Sequence, residues 1–379
     1  MNLLFISNDP SILNPVSGAR LRMREYAKVL EKEGGSLYIL SSAGKTSTIL
    51  EGALHLYGVK VSKFRRIPVL ARLARRIIQE EKIEVASAQD PFEHGLIGLL
   101  AIRGTDAKLH IQIHTDFLSP WFIRGGFFRS SRVVMPVLNR VRIALAGYVL
   151  PRAHGIRVVS ERIKDSLSKK YGKTIQEVSV IPVYVKDEIP SAVELPPHAF
   201  SFALIAVSRL ESEKRIEDIL IALKRLNTAY PSLGLILVGE GSERKRLVRL
   251  TQSLGLENNV LFLGQRNDAV GLMQSAQAFI QASAYEGYGM TLIEAALAEC
   301  PIITTDVGIV GEVFTGYEHV LSAPVGDPTN LAAHIAWLIE DPSARKELAM
   351  NAKSRALEHL ASVKNSPEDI ISDIKKIVA

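Results

Sequence analysis

The sequence predicts an α/β protein made of two doubly wound domains in succession, and three observations lead there. Short β-rich runs alternate with longer helical patterns along the whole chain, the order of parallel sheets with helical crossovers. The alternation lapses between Val183 and Phe200, where Pro190, Pro196 and Pro197 fall in a stretch of little periodicity, as a linker requires. Glycines and polar residues gather just after the strands, where open parallel sheets bind ligands. A chain of 379 residues accommodates two such domains, each with its own core. The expected limits are 1–185, 186–366, and a last amphipathic helix, 367–379, that closes the second domain or crosses back to the first.

The elements follow in order. Leu3–Ser7 holds only four apolar residues in a row and follows no basic leader, so it reads as a first strand rather than a signal peptide. A loop with Gly18 leads into a helical pattern over Arg20–Glu33. Strands are expected at Ser36–Leu40, Val59–Phe64, Val85–Gln89, Leu109–His114, Ile156–Ser160 and Val178–Pro182, with helices at Val69–Glu81 and Glu161–Tyr171 among them. In the second half the strands are Phe202–Ser208, Leu233–Gly239, Val260–Gly264, Ala278–Ala282, Pro301–Thr305 and Val320–Ala323. Helices there include Ile216–Ala229, Ser242–Leu254, Asp268–Ser275 and Thr291–Glu299. Each half is a complete unit.

Composition bounds the class. Apolar residues make up 47% and charged residues 23%, the balance of a folded soluble protein. No segment offers the ~18 unbroken apolar residues of a membrane span. The single cysteine, Cys300, rules out an internal disulfide and favours a reducing, cytoplasmic compartment. Charge is uneven: residues 1–185 carry a net +13 and residues 186–379 a net −7. Two acid-free stretches concentrate the excess, Gly52–Gln79 and Phe117–Ser160. The first holds Arg65, Arg66, Arg72 and Arg76; in the second, Trp121, Phe122, Arg124 and Arg129 interleave aromatic rings with cations. An anionic partner for the first half is expected.

The most informative residues are Glu286 and Glu294. Between them Gly287-Tyr-Gly-Met-Thr-Leu-Ile leads into a helical run, so free N–H groups at Gly289, Met290, Thr291 and Leu292 would face an anion such as phosphate. Acids on either side of such a cradle suit a phosphate whose attached groups carry hydroxyls, as in a sugar nucleotide. Arg209 and Lys214, after the second domain's first strand, can fork onto or neutralise phosphate oxygens. Gly239 lets backbone approach a ligand, and Gly264-Gln265-Arg266 offers exposed backbone to a base edge. His114 closes a strand of the first domain, where a catalytic and a structural role both remain open. Gly18 and Arg20 mark the first-domain loop. Neither an Asp-x-Asp pair, a Cys/His cluster, a GxGxxG nor a GxxxxGK[ST] occurs. Zinc and dinucleotide-dehydrogenase chemistry are therefore disfavoured.

Together Arg209-Leu with Glu213-Lys214, Val238-Gly-Glu-Gly241, Ser283 through Glu294-Ala, and Pro301 through Asp306-Val-Gly resemble the glycosyltransferases of family 4 over nearly the full length. The resemblance implies a GT-B fold, two Rossmann-like domains facing each other across a crevice. It further implies a retaining, metal-independent enzyme with a UDP- or GDP-sugar as donor. Arg209 and Lys214 would hold the diphosphate, Glu294 the ribose, Glu286 the transferred sugar, residues 289–292 the phosphate or sugar, with His114 beside the reacting centre. There are departures: Ser17-Gly18 for two glycines, Arg215 for a frequent glycine, Val183-Tyr184 for Asn-Gly, and Glu299-Cys300 for Cys-Gly.

The expected function is transfer of a hexose-type sugar to a glycan or lipid-linked acceptor in cell-envelope polysaccharide or glycolipid synthesis. The first domain would rest on the inner face of an anionic membrane through the arginines and aromatic rings named above. Nucleic acid is not expected, since no recognised binding module is present. Two rival readings stand beside this one: a nucleotide-sugar epimerase of the same fold, and a non-catalytic sugar-nucleotide-binding protein at a membrane surface.

Overall fold

The computed structural model describes residues 1–7, 9–42, 46–124, 134–185, 190–364 and 366–378. Contacts divide it into two units. Unit 1 contains Met1–Leu118, Pro136–Tyr184 and Lys364–Ala379, and unit 2 contains Ser119–Met135 and Val185–Val363.

In unit 1 the strands are β1 (Leu3–Ser7), β2 (Leu37–Ser42), β3 (Ser47–Glu51), β4 (Leu54–Val59), β5 (Val85–Ala88), β6 (Lys108–Ile113), β7 (Gly155–Val158) and β8 (Val178–Val180). Their order is β3-β4-β2-β1-β5-β6-β7-β8. The chain winds outward from β1 in both directions, the doubly wound arrangement. Helices α1 (Gly18–Glu31), α2 (Arg66–Glu80), α3 (Glu93–Ile102), α5 (Val134–Val149) and α6 (Glu161–Tyr171) accompany these strands, while α4 (Pro120–Arg124) falls in unit 2. Strands β1, β5 and β7 are buried at every position, which is why β1 reads as a continuous apolar run rather than an alternating one.

One edge differs from expectation. β3 pairs antiparallel with β4, and the strand expected at Val59–Phe64 lies instead at Leu54–Val59. The inward-facing residues Leu54, Leu56 and Gly58 belong to β4. Past Val59 nothing meets the core, and Phe64 ends 98% exposed on the short turn Lys63–Arg65. β3 alternates half-buried and exposed residues, the signature of an edge strand.

Unit 2 is parallel throughout. Its strands are β9 (Phe202–Val207), β10 (Leu233–Val238), β11 (Val260–Gly264), β12 (Ala278–Ile280), β13 (Ile302–Thr305) and β14 (Leu321–Ala323), in the order β11-β10-β9-β12-β13-β14. The helices are α7 (Ile216–Leu226), α8 (Arg244–Ser253), α9 (Ala269–Ser275), α10 (Met290–Leu297), α11 (Pro328–Glu340) and α12 (Pro342–Ser362). Leu204, Ile219, Leu235, Ile280, Ile303 and Ile335 belong to one continuous core.

Helix α13 (Pro367–Lys375) lies with unit 1. Ser366 and Asp369 form a reciprocal capping box at its start. Its Ile370, Ile371 and Ile374 join the unit 1 core, and Ser179 Oγ donates to Asp373 at 2.8 Å. Conversely, residues 119–124, which the sequence reading keeps in the first domain, group with unit 2. The cause is packing: the Phe122 ring meets Tyr285 edge-on at 5.6 Å, and the Arg215 guanidinium sits 5.7 Å from the Trp121 ring centre.

Candidate donor-binding site

Three loops at the carboxyl ends of unit 2 strands build the site. Beyond β9 the chain makes a single 3-10 turn, Ser212–Lys214. It is held to the loop after β12 by the Ala284 N–H, which donates to Glu213 O at 2.7 Å. That bond places Lys214 Nζ 2.5 Å from Glu286 Oε1, and Ser283 Oγ donates to the same oxygen at 2.7 Å. Both members of the pair are only 14% exposed, where Coulomb attraction is screened less than at the surface. Arg209 is 73% exposed and reaches Glu213 at 3.1 Å.

The cradle begins at Gly289, whose φ of 95° caps α10 in a left-handed conformation suited to glycine. Glu294 lies about a turn inside that helix. The Leu292 N–H is not free as expected: it donates to Gly289 O at 2.9 Å, a tight first-turn bond, and the residue is fully buried. Gly289, Met290 and Thr291 remain as backbone donors, with the Thr291 hydroxyl engaged on Gln281 Oε1 at 3.0 Å. Gly239 has φ 135°, and a Cβ there would fall 1.8 Å from Ser208 O, so only glycine lets the β9 and β10 ends close together. Its N–H donates to Gly264 O at 2.7 Å. Gln265 and Arg266 are exposed beyond β11, with Arg266 paired to Asp268.

Sequence reasoning missed three contributors: Ser283, Tyr285 and Arg215. The last has a signal in hindsight. Arg215 takes φ 47°, ψ 39°, the left-handed region in which a glycine is expected and a long side chain is strained. Its guanidinium forks onto Asp218 at 2.6 and 3.0 Å and lies over Trp121, which holds the strained turn beside Lys214.

In unit 1, His114 follows β6. Its Nε2 is sealed from solvent and has no hydrogen-bond partner among the described residues. Burial, with Arg157 and Arg22 nearby, lowers its pKa to about 3, so the imidazole is neutral at physiological pH. Arg20 is no acceptor contact. It is 1% exposed, salt-bridged to Glu51 at 2.7 Å and bonded to Ile12 O, because the α1 start must be tied to the β3 edge. Gly18 opens α1 behind the Ser17 cap.

The basic face is narrower than expected. Arg65, Arg72 and Arg76 are exposed along α2, and Arg66 is half-buried. Phe64, missed in the sequence, stands fully exposed next to Arg65 on the turn before α2. Phe122 is buried and Trp121 half-buried within unit 2, so Phe122 offers no ring to a surface. Arg124 ends α4, and Arg129 lies outside the described residues. Elsewhere in the acid-free stretches, Arg157 is buried, Arg75 binds the last carbonyls of α3, and Arg142 pairs with Glu93.

Comparison with known proteins fits this geometry. The model "Glycosyl transferases group 1" matches residues 199–355, and "Glycosyltransferase Family 4" matches residues 16–188. The chain belongs to these glycosyltransferases. A glycogen synthase of Mycobacterium tuberculosis is 28% identical over 230 residues, covering 60% of this chain and 55% of that protein. The lipopolysaccharide core biosynthesis glycosyltransferase LpsD of Rhizobium meliloti is 31% identical over 156 residues, 41% of this chain and 44% of LpsD. The match thus spans about half the length of these curated relatives. Among solved structures, sucrose-phosphate synthase of Thermosynechococcus elongatus superposes with a TM-score of 0.82 at 17% identity, covering 100% of this chain and 98% of the other. HepE of Anabaena, solved with UDP-glucose, gives 0.71 at 20% identity and covers the same shares. The glycosyltransferase therefore has the GT-B fold.

Proposed function

We propose that this glycosyltransferase moves a hexose-type sugar from a UDP- or GDP-sugar to a glycan or lipid-linked acceptor in cell-envelope polysaccharide or glycolipid synthesis. The Lys214–Glu286 pair, set beside the amide donors that open α10, carries the reading. When the bond from the anomeric carbon to the diphosphate breaks, its electron pair stays on the departing diphosphate. Lys214, Arg209 and the amides of residues 289–291 neutralise that charge without a metal ion. Glu286 orients the sugar hydroxyls and Glu294 the ribose. The neutral His114 keeps an unfilled hydrogen bond that a sugar hydroxyl can complete. Configuration at the anomeric carbon is retained, in line with the family.

The relatives support the envelope assignment through LpsD, and a UDP-hexose donor through HepE. Unit 1 takes the acceptor and rests on an anionic membrane through α2 and Phe64. The test begins with thermal stabilisation by UDP-, GDP- and ADP-sugars, followed by transfer assays on the variants. Lys214→Ala and Glu294→Ala should weaken donor binding, and Glu286→Ala should lower turnover. Undiminished transfer in all three, or turnover that requires added magnesium after chelation, would overturn the reading.

A further inference from the structure

A second cavity in unit 2 lies outside everything described so far. It is a solvent-open groove of about 460 Å³ beside α11 and the loop before β14, a volume in the range of ligand pockets. Two aromatic rings stand on its walls, Tyr317 at 67% exposure and Trp337 at 37%. Tyr317 adopts φ 64°, a left-handed conformation that an aromatic residue rarely takes. The Tyr317 N–H holds it there by donating to Val320 O at 2.7 Å. The ring meets His334 edge-on at 5.6 Å. Backbone strain that presents a ring to water, instead of burying it, points to recognition.

Polar groups converge between the rings. Asp327 accepts the Thr329 and Asn330 N–H groups at 3.0 Å each, both through Oδ1. No hydrogen bond among the described residues engages its Oδ2. His334 is 5% exposed and lies 3.2 Å from Ser322 O through Nε2, which therefore carries the proton and leaves Nδ1 an acceptor. The Asn330 side chain lines the same wall. Flat apolar rings flanked by neutral acceptors and a carboxylate suit one chemical class: a pyranose, whose C–H face stacks while its hydroxyls donate. Few cations line the cavity, which disfavours a phosphate or a nucleotide.

We propose that the Tyr317–Trp337 cavity is a glycan-holding subsite, taking a hexopyranose unit of the saccharide on which the enzyme works. The proposal rests on the glycosyltransferase reading only for the source of that saccharide. The subsite begins next to the donor site's edge: a Cβ built at Gly326, one residue before Asp327, would lie 3.3 Å from an Arg215 guanidinium nitrogen and 3.9 Å from the Trp121 ring.

The test applies the labelled full chain to an array of neutral oligosaccharides of glucose, galactose, mannose and N-acetylglucosamine, maltoheptaose included. Binding that falls about tenfold or more in both Tyr317→Ala and Trp337→Ala, with UDP affinity and melting temperature unchanged, supports the subsite. Asp327→Asn, which keeps the helix cap, should lower it less. Binding to no array member overturns the proposal. So does binding lost in Glu286→Ala but not in the two aromatic variants, since the glycan would then occupy the donor site. A change in sedimentation of the two variants without glycan binding also overturns it and marks the cavity as a contact between copies. Failure of sugar transfer with glycan binding intact would count against the proposed function alone.

Discussion

The two sheets carry polar groups toward their carboxyl ends in opposite ways. In unit 2, Lys214, Glu286 and Arg209 sit beyond the strands and Glu294 in the first turns of α10, and all keep some contact with solvent. In unit 1 the polar residues lie on the strands themselves and are buried. Arg157 on β7 is 2% exposed and donates to Ile181 O, Pro182 O and Gln112 Oε1 at 2.8–2.9 Å. Gln112 in turn donates to Ser87 Oγ, which bonds His110 Nδ1, both at 2.9 Å. A guanidinium whose partners are neutral oxygens fixes the chain where it leaves the sheet. An ammonium against a carboxylate at a glycine-opened helix is instead a site whose partners can be exchanged for a ligand's. The contrast separates a polar network that holds structure from one that does chemistry.

The largest effect should come from the exchangeable pair. Lys214→Ala should lower transfer by roughly 10²–10³-fold, the loss of one preorganised group facing developing negative charge. Its melting temperature should stay close to the parent's, because the Glu213–Ala284 backbone bond still holds the turn. Radiolabelled transfer at saturating donor measures the first and calorimetry the second. A variant that unfolds instead would make Lys214 structural and erase the contrast.

Arg157→Met should do the reverse. It strips donors from two carbonyls and an amide oxygen inside the sheet, which costs about 2–3 kcal/mol of stability. Urea unfolding should show it, while the UDP dissociation constant stays fixed. Loss of UDP binding at full stability would show that the buried network also does chemistry.

Legibility follows the same line. Unit 2's site could be read because its backbone needs are written as residue types: Gly239 at a 1.8 Å approach, Gly289 at φ 95° and acids at fixed offsets. The strand periodicity was equally plain, and most elements lie within a few residues of expectation. Unit 1's charges were not legible. Arg20, Arg157 and Arg75 look the same in sequence as the exposed Arg72, since a guanidinium's fate depends on distant oxygens, such as Glu51 and the carbonyls after β8. The β3–β4 hairpin was missed because Lys60-Val-Ser-Lys-Phe alternates as a strand should but has no neighbour to cover it. Arg215 shows the limit at the site itself: its place where a glycine is frequent marks the position, but not the left-handed φ or the Asp218 and Trp121 contacts that hold it.

Acid should act on unit 1 through its imidazoles. Burial, with Arg157 and His114 adding to it, lowers His110 to about 3 from an ordinary 6.5. Between those values the unfolded chain binds the proton and the native sheet does not. Stability from this group is therefore complete above about 6.5 and declines as pH falls, by about 2 kcal/mol at pH 5. Urea midpoints at pH 7.5 and 5 measure the slope, which His110→Gln should flatten. An unchanged slope in that variant would place the acid sensitivity elsewhere.

The smallest effect concerns the surface of α2, where neither kind of network operates. Arg72, Arg65 and Phe64 stand exposed, while Arg76 is partly neutralised by Glu80 one turn on. Each free cation near an anionic bilayer contributes about 1 kcal/mol. Arg65→Glu with Arg72→Glu should therefore weaken binding to phosphatidylserine vesicles more than Arg76→Glu does alone, and high salt should abolish the difference. Phe64→Ser should lower binding at every salt concentration, because ring insertion is not screened. Donor turnover with a soluble acceptor should not move in any of them. Equal vesicle binding by all these variants would mean that the positive excess of the first half is spent inside the fold, as Arg157 and Arg20 already are.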